Sequence, residues 1–115
     1  MNFSQSPEFK KELKAFSKKY RSLDQDLKSF EKVVEAVDQL EELHFFDNKK
    51  ATKLHVSEKN EVIKARLDCS DLGNKNILRI IYTRNKQSNE VTFIELFSKN
   101  VKAREDVARV KEYYS

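Results

Sequence analysis

Four cations, Lys64, Arg66, Arg79 and Lys99, are the residues of this chain whose types and spacing point to chemistry. Three consecutive runs, 61–69, 77–84 and 91–99, read as strands, and strand side chains alternate between two faces. In the first run Ile63, Ala65, Leu67 and Cys69 share one face, and Lys64, Arg66 and Asp68 share the other. In the second, Leu78, Ile80 and Tyr82 oppose Ile77, Arg79 and Ile81. In the third, Thr92, Ile94 and Leu96 oppose Phe93, Glu95, Phe97 and Lys99. Each strand can give one apolar face to a core, which gathers the four cations on the opposite, open face. Arginine offers a planar fork for phosphate and lysine a compact point charge. Such a surface suits the backbone of a polynucleotide. The same cations could instead serve only to keep a sheet soluble and unpaired, although like charges set side by side cost stability without an anion.

The other candidates are weaker. Glu95 shares the open face, either as a general base or, the better reading, as an ion-pair partner of Arg66 or Arg79. Phe93 and Phe97 fall there too, as a stacking platform for bases or as a surface that a C-terminal helix covers. His44 and His55 lie outside the strands, and neither has a partner at metal-ligand spacing, so both read as structural or solvent-facing. Cys69 and Tyr82 fall on core positions. Tyr113 and Tyr114 close the chain within reach of the sheet. No phosphate-cradling glycine loop, zinc pattern or nucleophile elbow occurs.

These residues need a scaffold, and the rest of the chain reads as one. Residues 2–4 suggest a short strand. Ser6-Pro7-Glu8 is a helix start: a capping hydroxyl, a proline at the first helical position and an acid at the positive end of the dipole. Phe9, Leu13, Phe16 and Tyr20 then form one apolar stripe. Ser22 with Gln25 reads as a capping box opening a second helix, whose stripe is Leu23, Leu27, Phe30, Val34 and Val37, widened by Val33 and Leu40. Helices joined this tightly form a hairpin. Residues 44–60 read as a loop, with a short extended piece over 53–56. Turn-like residues 71–74 and 85–89 make the three strands an antiparallel meander. Residues 103–113 read as a last amphipathic helix. The expected class is α+β, a helical hairpin packed on a small antiparallel sheet with a C-terminal helix, in a single domain spanning 1–115.

Composition is compatible with this. The chain has 115 residues and 37% are charged, but eight phenylalanines and a clear periodicity argue against disorder. The net charge of +4 is unevenly spread. Residues 8–21 hold six basic and two acidic side chains, 22–42 hold two and seven, and 61 onward hold eleven and eight. The lone cysteine precludes an internal disulfide and fits a reducing compartment. With no apolar run of membrane-spanning length and no apolar leader, the expected location is the cytoplasm.

Taken together, the motifs resemble the RelE/ParE superfamily of toxins from bacterial toxin–antitoxin pairs. Ser6-Pro7-Glu8-Phe9-Lys10-Lys11-Glu12-Leu13 resembles that family's first helix. Lys64-Ala65-Arg66-Leu67 followed by Leu78-Arg79-Ile80-Ile81-Tyr82 resembles its consecutive strands, and Phe93-Ile94-Glu95-Leu96-Phe97-Ser98-Lys99 its last. The resemblance implies a microbial RNase-like fold and an mRNA endonuclease that cuts in the ribosomal A site and so inhibits translation. A small antitoxin would neutralise it, in a toxin–antitoxin hetero-oligomer. Carried over, the family's basic strand positions fall on Lys64, Arg66 and Arg79 and its terminal lysine on Lys99, with Phe97 beside them on the RNA-binding surface. Cleavage requires the 2′-hydroxyl deprotonated, the pentavalent phosphate stabilised and the leaving oxygen protonated. Arg66 and Arg79 suit the second task, Lys64 is a base only if neighbouring cations depress its pKa, and Lys99 would hold phosphate or assist the leaving group. No metal or other cofactor is required. The chain departs from the family in having one glycine before the central arginine and no histidine closing the last strand, which leaves the general acid unassigned. A ParE-like gyrase poison and an inactive binding module of the same fold therefore stand as alternatives.

Overall fold

In the computed structural model, which describes residues 1–40 and 50–114 with the side chains of 38–40 excepted, five strands form one sheet in the order β1-β5-β4-β3-β2. They are β1 (Asn2–Gln5), β2 (Ala51–Val56), β3 (Asn60–Arg66), β4 (Leu78–Asn85) and β5 (Glu90–Ser98). The helices are α1 (Pro7–Lys19), α2 (Leu23–Leu40) and α3 (Val107–Lys111), with a 3-10 turn at Ser70–Leu72. The α+β architecture follows the sequence reading. The 53–56 piece proves to be part of a full edge strand, β2, paired antiparallel to β3. β1 adds a parallel pair at the other edge, Asn2 opposite Glu90 through Gln5 opposite Phe93. His44 lies outside the described residues.

α1 begins as its sequence requires: Phe9 N–H donates to the Ser6 hydroxyl at 3.2 Å and Pro7 opens the helix. The hairpin lies on one face of the sheet. Phe9, Leu23, Leu27, Phe30 and Val34 are buried there against Ile63, Ala65, Leu67, Leu78, Ile80, Tyr82, Phe93 and Leu96. The Phe30 ring meets Tyr82 edge-on at 5.9 Å, a favoured aromatic geometry. Val33 does not widen this stripe and stays 43% exposed. The expected capping box at Ser22 is replaced by a tertiary clasp. Ser22 Oγ donates to Asp26 at 2.7 Å, while its backbone N–H donates to the Asp71 carboxylate at 3.0 Å. Asp26 in turn accepts from the Ser70 hydroxyl at 2.8 Å and the Ser70 N–H at 3.1 Å. An acid 49 residues along the chain outcompetes Gln25 because it also ties the hairpin to the β3–β4 connection.

One irregularity changes the strand reading. Ile81 of β4 pairs with Glu95, yet Tyr82 pairs with Phe93, so Ile94 is an extra residue in β5. A one-residue bulge inverts the alternation beyond it. Phe93, expected on the open face, turns to the helix side and stacks on Phe9 at 5.4 Å. Ile94, expected in the helix-side core, joins Val62, Ile81, Phe97 and Val110 on the other face. That second cluster is closed by the chain after β5. The last helix is shorter than its 103–113 pattern because Asp106 caps it, accepting from Arg109 N–H at 3.2 Å, while Lys102 and Glu105 are drawn onto the sheet. No helix among the described residues is long and apolar enough to cross a membrane.

Candidate nucleic-acid interface

The sheet register sets the four cations in a definite order. Arg66 of β3 lies directly opposite Arg79 of β4, and Arg79 directly opposite Phe97 of β5. Directly opposed strand residues have Cβ atoms about 5 Å apart, so two guanidinium groups share one small area. Two residues along β3, Lys64 faces Ile81, which faces Glu95. Lys99 lies just past the end of β5, its N–H donating to Ile77 O at 2.8 Å. Lys64, Arg66 and Arg79 therefore lie toward one end of the open face, and the backbone of Lys99 follows the strand end beside it.

Their partners divide them. Lys64 Nζ is 3.1 Å from a Glu105 carboxylate oxygen, and that carboxyl is only 4% exposed. Burial pushes the Glu105 carboxyl up, but the hydrogen bond and charge of Lys64 outweigh it and hold the group below its ordinary range. Among the described residues Arg79 finds only backbone carbonyls: one guanidinium nitrogen donates to Asn76 O at 2.8 Å and Leu78 O at 3.1 Å. Burial, then the charge of Arg66, lowers its pKa, leaving it charged all the same. Among the described residues neither Arg66 nor Lys99 has a carboxylate partner. By contrast Arg84 and Lys53 both reach the buried Glu61, at 3.3 and 3.1 Å. Arg66, Arg79 and Lys99 are thus the site's uncompensated charge, and an oxyanion arriving there meets two forks and an ammonium.

Two expectations are corrected here. Glu95 is paired, but not with Arg66 or Arg79. It is fully buried and held by Lys102, by Arg109 at 3.3 Å and by the Asp106 N–H at 2.9 Å. Opposite Ile81 in the register, this carboxylate lies beneath the C-terminal segment, two residues along β5 from the Phe97 position that faces Arg79. Phe97 is 4% exposed, packed with Ile81 and Val110, and Lys102 Nζ lies 5.2 Å from its ring centroid. With its faces covered it offers no platform for a base. Of the remaining candidates, His55 stacks on Tyr114 at 4.4 Å, a structural role, and burial raises the pKa of Cys69. Sequence reasoning missed the C-terminal contribution. Glu105 and Lys102 carry no local sign of their partners, which lie 41 and 7 residues away.

No protein-family model matches the sequence, and no curated protein sequence is significantly similar to it. The structure does have a counterpart. A chain of the archaeal RelE–RelB complex from Pyrococcus horikoshii OT3 superposes with a TM-score of 0.50 over 85% of this chain and 93% of that one, at 19% identity. The fold is that of RelE. At this identity the likeness is one of fold alone. Among the described residues no group of histidine, cysteine and acidic side chains is arranged to hold a metal ion.

Proposed function

We propose that this protein is the toxin of a toxin–antitoxin pair and acts as a ribosome-dependent mRNA endoribonuclease. The observation that carries the reading is the unneutralised pair Arg66–Arg79 on the open face of a RelE-type sheet. A like-charged pair held in register costs stability, and a phosphate bound between the two forks offsets that cost. In the reaction a ribose 2′-oxygen attacks the adjacent phosphorus. Arg66 and Arg79 stabilise the charge that grows on the non-bridging oxygens, a preorganised electrostatic contribution. Lys99, at the strand end, holds the neighbouring phosphate or the departing 5′-oxygen. Lys64, engaged by Glu105, is neutralised there and is cast neither as the base nor as a phosphate holder. The RelE–RelB neighbour was crystallised as a complex, which supports a cognate antitoxin as partner for this chain as well.

Two observations favour a second reading. The buried Phe97 and the Lys64–Glu105 pair are what a protein-binding module would keep, whether a gyrase-directed toxin or an inactive relative. Wild-type and Arg79→Ala proteins separate the cases in a reconstituted translation system. The nuclease reading expects translation arrest and mRNA cuts on ribosomes with wild type, and loss of both in the variant by at least about a hundredfold, as for removal of one oxyanion donor. Arrest of DNA supercoiling without RNA cuts refutes it in favour of the gyrase reading.

A further inference from the structure

Arg79 is oriented without being neutralised. A carboxylate that aimed its guanidinium would also cancel its charge, as Glu61 does for Arg84 at 3.3 Å. The carbonyls of Asn76 and Leu78, at 2.8 and 3.1 Å, aim it by their dipoles and leave its full charge for an anion. Leu78 belongs to β4, and its carbonyl is fixed by the Leu67 N–H at 3.1 Å. Asn76 lies before the strand, in the β3–β4 connection. The stiffness of that connection therefore sets where the fork points.

Apolar contacts hold the connection only in part. Residues 70, 71 and 73–76 are exposed, while Cys69 and the partly buried Leu72 join the helix-side core. Its polar hold comes from α2. Asp26, 8% exposed, accepts from the Ser70 hydroxyl at 2.8 Å, the Ser70 N–H at 3.1 Å and the Ser22 hydroxyl at 2.7 Å. Ser22 and Asp71 exchange two further bonds, Ser22 N–H to the Asp71 carboxylate and Asp71 N–H to the Ser22 hydroxyl, each 3.0 Å long. An ionised carboxylate buried among neutral donors costs desolvation, but its bonds are stronger than those of a neutral acceptor. Three overlapping turns carry the hold onward: Leu72 N–H to Cys69 O at 3.0 Å, Gly73 N–H to Ser70 O at 3.1 Å and Lys75 N–H to Leu72 O at 3.1 Å. Gly73, at φ +58°, allows the chain to bend between them. The last turn ends one residue short of Asn76, and pairing resumes where Ile77 O accepts from Lys99 N–H at 2.8 Å. Asn76 is thus held between the clasp and the sheet.

We propose that Asp26 is a positioning residue for the anion site: through the clasp and the three turns it fixes the Asn76 carbonyl and so aims the Arg79 guanidinium, a role that rests on the phosphate-binding reading of the arginine pair. Asp26 itself touches no substrate. It stands on α2, across the sheet from the open face, and acts only through the connection.

Inorganic phosphate is the probe, titrated against the full chain and followed by NMR of the arginine side chains. Asp26→Ala should weaken phosphate about fivefold, because one long side chain must then be ordered on binding, and should broaden the Arg79 Nε–H resonance. Asp26→Asn keeps an oxygen for the Ser22 hydroxyl and Ser70 N–H and offers an N–H to the Ser70 hydroxyl, so it should bring affinity back to within about twofold of wild type. Asp71→Ala, at an exposed position, disturbs folding less and should act in the same direction as Asp26→Ala. A cycle with Arg79→Ala separates aim from general loosening. In that background Asp26→Ala should change phosphate affinity by less than about 1.5-fold, since the two residues act as one unit. Loss by the same factor in both backgrounds, or wild-type affinity in both Asp26→Ala and Asp71→Ala, overturns the proposal. On ribosome-bound mRNA, Asp26→Ala should lower kcat by about ten- to a hundredfold with KM within about threefold, as for a reacting group displaced by about 1 Å. Wild-type cleavage with independent Asp26 and Arg79 effects on phosphate sinks the positioning role alone. Coupled effects in a protein that cuts no mRNA leave that role standing and remove the nuclease reading.

Discussion

Glu105→Gln tests whether the C-terminal segment restrains the RNA surface. In the wild-type protein Lys64 is neutralised by Glu105 at 3.1 Å, with Arg104 also 3.6 Å from that carboxyl, so three cations, Arg66, Arg79 and Lys99, remain to displace counterions from RNA. For a single strand each neutralised phosphate contributes about −0.7 to the slope of log K against log salt, giving about −2.1 for three contacts and about −2.8 for four. Glutamine still offers Lys64 an oxygen but leaves its charge uncompensated. The variant should therefore steepen the slope to about −2.8 and lose about 50-fold in affinity between 50 and 200 mM salt, against about 18-fold for wild type. At low salt the added charged contact, at about 1 kcal/mol, should tighten binding about fivefold. The stability cost should stay below about 1 kcal/mol, because Lys64 is 29% exposed and partly solvated already. Fluorescence anisotropy of a labelled RNA oligonucleotide over a salt series reads both quantities. Lys64→Gln is the control and should keep the wild-type slope. A Glu105→Gln slope equal to wild type, or a Lys64→Gln slope shallower by one contact, would refute the assignment of Glu105 as the occupant of Lys64.

Three further outcomes follow from the same geometry. Phosphate at ten times its dissociation constant should stabilise the wild-type protein by about 1.4 kcal/mol in urea unfolding, and Arg79→Gln should abolish that gain while leaving unliganded stability unchanged or slightly raised, since the Arg66–Arg79 repulsion disappears. Glu95→Leu should cost about 3 kcal/mol and strip hydrogen-exchange protection from Val110, because Arg109 and the Asp106 N–H lose a buried partner; undiminished protection would mean that the apolar contacts of Val110 suffice to hold the segment. On acidification, Asp26 and Glu105 both have lowered pKa values in the folded state. Burial raises each, but hydrogen bonds from Ser22 and Ser70 in one case, and the bond and charge of Lys64 in the other, outweigh it. Their contribution is thus present above the ordinary carboxylate range and lost as pH falls through the depressed folded values, so urea unfolding should show declining stability below about pH 5, with Ser70→Ala flattening the decline.

Local spacing alone determined most of the elements and half of the site. The 3.6-residue stripes of Phe9 to Tyr20 and Leu23 to Val34 placed the hairpin, and period-two alternation put Ile63, Ala65, Leu67, Leu78, Ile80 and Tyr82 in the helix-side core, because a side chain's face within a regular element depends only on its position along it. The same rule put Arg66 and Arg79 on one face, while the register that sets them opposite each other came with the fold. What only the tertiary structure decided are the features made between elements. The extra residue Ile94 turns Phe93 inward, the C-terminal segment returns over Glu95, and no one-residue bulge is visible in a strand whose two faces are both apolar. Glu105 reaches Lys64 across 41 residues, and Ser22 is clasped by Asp71 across 49. Such pairs depend on where the chain returns in space, and any of several nearby acids in the sequence would have satisfied the local pattern equally well.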